Sequence, residues 1–273
     1  MDKTFEKPTA VKRIKSMLKV DFRRLFAGPL FYILVGIALV IPILILVMTT
    51  MLEGSVSVNP QTGVAGEPMK GFDFVWQIFG AVSAPAGEQM QAGMSMDLVS
   101  MCNINMMFFA IAVLVCIFVC DDFRSGYAKN IFTVRAKKTD YVISKNATAF
   151  VGATAMFIAF FIGALIGGSI AGVPFKMDGF NGINITFCIL SKICLIPVFV
   201  SIFTLMSVIA KQKSWLAICL SLGVGMLLFM TIPSLTPLDA GIINVVLALA
   251  GSALFSVGLG AVSNIVLKKT SLV

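Results

Sequence analysis

Histidine is absent from the 273 residues. That removes His-based zinc sites, a Ser-His-Asp triad and an imidazole proton relay. Charge is scarce as well. Charged residues make up 12% of the chain and hydrophobic residues 58%, against about 25% and roughly 45–50% in a soluble domain. So few charges cannot cover a water-exposed surface, which excludes a soluble enzyme, a disordered chain and a collagen. Polar loops hold no cysteine: Cys102, Cys116, Cys120, Cys188, Cys194 and Cys219 all fall in apolar runs and read as small buried hydrophobes. A disulfide framework is not expected. Cys116 and Cys120 share a helix face without forming a CxxC motif.

Long apolar runs are what the sequence has instead. They predict an all-α membrane protein with six transmembrane helices, at 30–51, 100–120, 146–170, 184–209, 215–233 and 241–266. Each is roughly 20 residues or longer, enough to cross about 30 Å of hydrocarbon at 1.5 Å per residue. The first run follows a long basic stretch and exceeds a signal h-region, so it is expected to stay as an anchor. Charge sets the orientation. Segments 1–29, 121–145, 210–214 and 267–273 carry 18 of the 21 basic residues and 6 of the 13 acids. Segments 52–99, 171–183 and 234–240 carry Lys70 and Lys176 against seven acids. The positive-inside rule therefore predicts a multi-pass chain in the plasma membrane with both termini cytoplasmic. The net charge of +8 is a topology signal needing no nucleic acid, and it favours anionic lipid headgroups.

Three segments lie outside the spans. Residues 9–27, within the cytoplasmic segment 1–29, form a basic amphipathic stretch. On a helical wheel Val11, Ile14, Leu18, Phe22, Leu25 and Phe26 cluster within about 60° of one direction, flanked and opposed by Lys12, Arg13, Lys19, Arg23 and Arg24, with Lys15 near the edge. This suits a helix in the inner-leaflet interface, ended by Gly28-Pro29. Residues 52–99 form one large extracytoplasmic loop between the first two spans. Its apolar stretch at 71–80 suits a short helix on or in the outer leaflet, with Trp76 as an interface anchor and Ala84-Pro85-Ala86-Gly87 as its end. The loop reads either as a cap over an exit path or as a surface excursion.

Residues 121–145 mix charge with Phe123, Tyr127, Ile131, Phe132 and Tyr141. A cytosolic loop needing only solubility would not require these aromatics. Short helices bearing them fit docking into a partner's groove; the alternative is packing against the protein's own membrane base. With its place between the second and third spans, this segment resembles the ABC-2 family of ABC transporter permeases. Many members show an acidic residue ending the second span, then Ser/Thr-Gly, a basic residue, a Tyr and a Lys entering the third. Asp121-Asp122, Ser125-Gly126, Lys137, Tyr141 and Lys145 fill those places here. The family's frequent Pro-x-Ser-Arg is replaced by Val134-Arg135-Ala136-Lys137. The six-span plan, amphipathic N-terminal helix and inside termini extend the resemblance over essentially the whole chain, with 30–273 as a single permease domain. The large first outside loop is more similar to small bacterial permeases for peptide-antibiotic export or immunity.

The resemblance implies a permease that pairs with a second, identical or related, permease subunit and docks an ABC ATPase through the first cytoplasmic loop. The docking residues would be Phe123, Arg124, Tyr127, Ile131, Phe132 and Val134. ATP and Mg would sit on the partner ATPase, with no cofactor, metal or catalytic residue in this chain. The substrate would be a hydrophobic or amphipathic peptide or lipid-like molecule. Consistent with that division, no Gly-x-x-x-x-Gly-Lys-Ser/Thr phosphate loop occurs. The competing classes are a self-contained secondary transporter or channel, which needs midplane carboxylates that no span interior supplies, and an intramembrane enzyme, for which no HExxH motif is present.

Within the spans, Lys192 is the one basic residue at depth, where a charge costs about 2.5–3.5 kcal/mol on insertion scales. Substrate contact, helix pairing and snorkelling outward all account for it. Asn103 and Asn105, at the outer end of the second span, join it as possible substrate-path residues; interhelical hydrogen bonding explains them equally well. Gly163 and Gly167 predict close helix approach in the third span, and Gly223, Gly225, Gly251, Gly258 and Gly260 predict the same elsewhere.

Overall fold

The computed structural model describes residues 9–58, 65–68, 71–80, 103–134, 137–176, 182–229 and 231–269. Helix α1 (Ala10–Ala27) ends at Gly28, and Pro29 opens α2 (Pro29–Leu52). Proline is tolerated at that first position because its missing N–H has no helical acceptor. Strands β1 (Val56–Val58) and β2 (Ala65–Pro68) pair antiparallel, Val56 opposite Pro68 and Val58 opposite Ala65. This hairpin is the one departure from helix among the described elements. A 3-10 turn covers Val75–Phe79 and a second covers Ile104–Met106. Then come α3 (Met107–Arg124), α4 (Tyr127–Val134), α5 (Lys138–Ala171), α6 (Gly182–Ala210), α7 (Ser214–Phe229), α8 (Ile232–Leu235) and α9 (Ile242–Lys269).

Among the described residues, five helical stretches are long and apolar enough to cross a membrane: α2, α3 with its preceding turn, α5, α6 and α9. The fifth predicted span, 215–233, is instead the 16-residue α7. At 1.5 Å per residue it covers about 24 Å. Its run is broken before α8, where Pro233 lies in the first turn. The third predicted span starts earlier than 146, because α5 continues back through Lys145 to Lys138. The start of the second predicted span, 100–102, lies outside the described residues.

Helix α6 is central. Two-thirds of its most apolar stretch is buried, against 11% for α9. Helices α9 and α6 run along each other, as do α2 and α5. The α2–α5 contact rests on small residues. A Cβ at Gly163 would overlap the Leu39 carbonyl oxygen and fall 2.7 Å from Pro42 Cγ. One at Gly167 would fall 2.8 Å from Ile43 Cα. Both glycines therefore do what their spacing predicts. Gly223, Gly251 and Gly258 do not: a Cβ there meets nothing within 4 Å, so they mediate no close approach.

The 71–80 segment buries one side in the bundle and leaves Asp73 exposed. Val75, Ile78 and Phe79 are fully buried, and Phe79 packs edge-on against Phe160. Trp76 donates its indole N–H to the Phe175 carbonyl at 2.6 Å and stacks on Phe161. The segment thus plugs the end of the bundle opposite α1. Residues 84–87, its expected terminator, lie outside the described residues. Of the cysteines, Cys116, Cys120 and Cys188 are buried, but Cys194 is half-buried and Cys219 exposed, because α7 turns one face outward.

Candidate functional site

At the α1 end, four helices meet around charged side chains. The face of α1 that packs against α5 overlaps only the edge of the apolar stripe read from the wheel. It carries Arg13, Met17, Asp21 and the stripe's Leu25, while Ile14, Leu18 and Phe22 are half-buried and Val11 and Phe26 exposed. A charged residue on the protein-facing side is tolerable only if it is paired, and each one is. Asp21, 1% exposed, accepts from Lys145 Nζ at 2.7 Å and from Ser144 Oγ at 2.6 Å. Lys145, fully buried, also pairs with Asp122 Oδ2 at 2.7 Å. Asp122 is buried too; it accepts from Tyr141 Oη at 2.8 Å and pairs with Arg24. Outside this quartet, Arg13 Nε bonds Asp140 Oδ2 at 2.9 Å.

The cluster sets the buried carboxylates Asp21 and Asp122 against Lys145 and Arg24, with the exposed Asp121 3.7 Å from Arg24, and joins α1 (Asp21, Arg24), α3 (Asp121, Asp122) and α5 (Tyr141, Ser144, Lys145). Helix spacing explains the α5 contribution: Tyr141, Ser144 and Lys145 stand three and four apart and share one face. Aromatic rings complete the shell, with Lys145 Nζ lying 4.0 Å from the Phe118 ring centroid. Partial burial works against the Arg24 charge, but the adjacent Asp122 outweighs it and holds the guanidinium above its ordinary value.

Helix α4 is bound into the same assembly. Ser125 N bonds Asp121 O at 2.8 Å, and Gly126 takes φ 74°, a left-handed turn that favours glycine. That turn brings Tyr127 beneath Arg24, whose guanidinium lies 4.0 Å from the ring centroid. Burial, then the negative charge of Asp21, pushes the Tyr127 phenol up. Phe132 packs edge-on against Tyr141 at 5.2 Å, and Phe123 does so at 6.3 Å.

The loop residues read as a docking set therefore divide. Phe123 is buried, and Tyr127, Ile131 and Phe132 are half-buried. The three aromatics brace the protein's own base, the alternative that the sequence left open. Arg124, the last residue of α3, is exposed; Lys129, Asn130 and Thr133 form the outward polar face of α4. Val134 closes α4. Sequence reasoning missed Asp21, Arg24, Asp122, Tyr141 and Lys145 as one site. The available signal was Asp21, an acid inside a basic amphipathic segment, together with the acidic pair and the Tyr-Lys spacing already noted.

Lys192, Asn103 and Asn105 come together at the other end. Lys192 is fully buried, so it does not snorkel outward. It donates to Asn105 Oδ1 at 2.8 Å and Thr236 Oγ1 at 2.8 Å. Asn103 accepts from the Asn105 backbone N–H at 2.9 Å and caps the short turn that starts α3. No group of three or more metal-ligating side chains occurs among the described residues. No family model, curated protein or solved structure matches the chain.

Proposed function

We propose that this chain is the membrane-spanning permease subunit of an ABC-2-type exporter. It moves a hydrophobic or amphipathic substrate with ATP hydrolysed on a separate chain. The carrying observation is mechanical. The short helix α4 offers a polar face outward, while its inner side is tied through Tyr127, Arg24 and the Asp21–Lys145–Asp122 cluster to α1, α3 and α5. A push on α4 by an ATPase then reaches three helices together, without passing through a flexible linker. The outward face of α4, Lys129, Asn130 and Thr133, with Arg124 at the end of α3, is the ATPase-contacting surface, and the inward aromatics transmit the displacement. The absence of a phosphate-binding loop from the sequence supports a separate ATP-hydrolysing chain.

In this reading α7 is the sixth span, and both termini are cytoplasmic in the plasma membrane. Helix α1 lies in the inner-leaflet interface, with Val11 and Phe26 toward the acyl chains and Lys12, Lys15, Lys19 and Arg23 toward anionic headgroups. Two permease subunits, identical or related, enclose the pathway.

The test is purification of the tagged chain from its native membrane in mild detergent, with mass spectrometry of what accompanies it. A stoichiometric ATPase subunit that is lost in Lys129→Glu is the expected result. Repeated recovery without an ATPase, together with substrate flux indifferent to ATP, would sink the proposal.

A further inference from the structure

Among the described residues two lysines are completely buried, and the protein treats them differently. Lys145 meets two carboxylates, Asp21 and Asp122. Lys192 makes no ion pair among the described residues, although it stands ten residues into α6, about 15 Å along the helix, with no exposed surface. Its surroundings are rich in donors. The ammonium has three N–H groups, and two are directed at Asn105 Oδ1 and Thr236 Oγ1. Thr236 in turn gives its own proton to the Ile232 carbonyl at 2.8 Å. The Asn105 amide must turn its oxygen to Lys192, since an ammonium only donates. Its Nδ2, in a side chain 1% exposed, is left with no hydrogen-bond partner.

Among the described residues the ammonium has no ion-pair partner, and the Asn105 amide N–H groups lack an acceptor. Buried donors without acceptors are costly, and an unpaired buried charge is more so. A water molecule would satisfy donors but leave the charge. One group satisfies both: an anion with free lone pairs and no proton. Asn105 and Thr236 are, like Lys192, almost wholly enclosed, so the group must be small.

We propose that Lys192 Nζ and Asn105 Nδ2 form a binding site for one small monovalent anion, a halide or a single carboxylate group. The site is clamped between α6, the turn that starts α3, and the residue following α8. Occupancy ties these three elements together at the end of the bundle opposite the charge cluster. The site does not depend on the permease reading and needs no ATPase, so the two fail separately.

The test uses the full chain, purified in detergent and exchanged into a bulky sulfonate buffer. Radiolabelled chloride and radiolabelled acetate are titrated separately in a scintillation proximity assay. Saturable binding of one ion per chain is expected, lost in Lys192→Met and about tenfold or more weaker in Asn105→Ala, which removes a hydrogen bond to a charged group. Acetate binding in competition with chloride identifies a carboxylate-accepting site; chloride binding alone identifies a halide site. If Lys192→Met does not fold by circular dichroism, the wild-type stoichiometry and Asn105→Ala decide. Absence of saturable binding of either ion overturns the proposal. Binding unchanged in Asn105→Ala overturns it as well.

Discussion

Replacing Lys145 with Met removes the cation shared by two buried carboxylates. The two do not suffer equally. Asp122 keeps Arg24 and the Tyr141 hydroxyl, whereas Asp21 keeps only Ser144 Oγ. The variant therefore strands one nearly unexposed carboxylate, and breaking a buried pair in this way costs about 3–5 kcal/mol. A Lys145→Met, Asp21→Asn double variant removes the stranded charge, while the oxygen of the introduced amide can still accept from Ser144. It is expected to recover about 2 kcal/mol, within the range for directly coupled neighbours. The assay is a double-mutant cycle on reversible unfolding of the purified protein in mixed micelles, read alongside amide exchange of α1. Because Asp21 ties α1 to α5, exchange across 10–27 should accelerate in the single variant and slow again in the double. A loss under about 0.5 kcal/mol, the level of an ordinary surface change, would refute the reasoning. So would strict additivity of the two substitutions.

Gly163→Ala should destabilise the protein by about 1–3 kcal/mol, as overpacking does, because its Cβ meets the Leu39 carbonyl. Gly223→Ala, where a Cβ meets nothing within 4 Å, should be neutral or stabilising; thermal melts of both check the pair. If α4 docks an ATPase, Lys129→Glu should weaken ATPase co-purification without moving the melting temperature. Tyr127→Ala should lower both, since its ring also supports Arg24. If α1 lies on the inner leaflet, its amide exchange in nanodiscs should slow when anionic lipid replaces zwitterionic lipid. Lys12→Gln, Lys15→Gln and Lys19→Gln together should abolish most of that difference, at about 1 kcal/mol per lysine near the surface.

Long apolar runs were sufficient to locate the principal helices, since a segment of that length and composition has one stable use. The same runs overstated the helix at 215–233, where apolarity continues past the end of α7. Gly163 and Gly167 were legible because their spacing places both on one helix face. The isolated glycines were not, because spacing does not say which face meets a neighbour.

The two polar sites divide in the same way. Asp121-Asp122, Tyr141 and Lys145 were visible as a local pattern, and Lys192 as a lone charge in an apolar run. Asp21 and Lys145 are 124 residues apart, and Lys192 is 87 residues from Asn105 and 44 from Thr236. No periodicity along the chain encodes which distant residue satisfies a buried charge. A charged residue in an apolar run announces, from its neighbours in the chain, that it will be expensive to bury. Its partners came from packing in three dimensions: two carboxylates for one lysine, and neutral oxygens for the other.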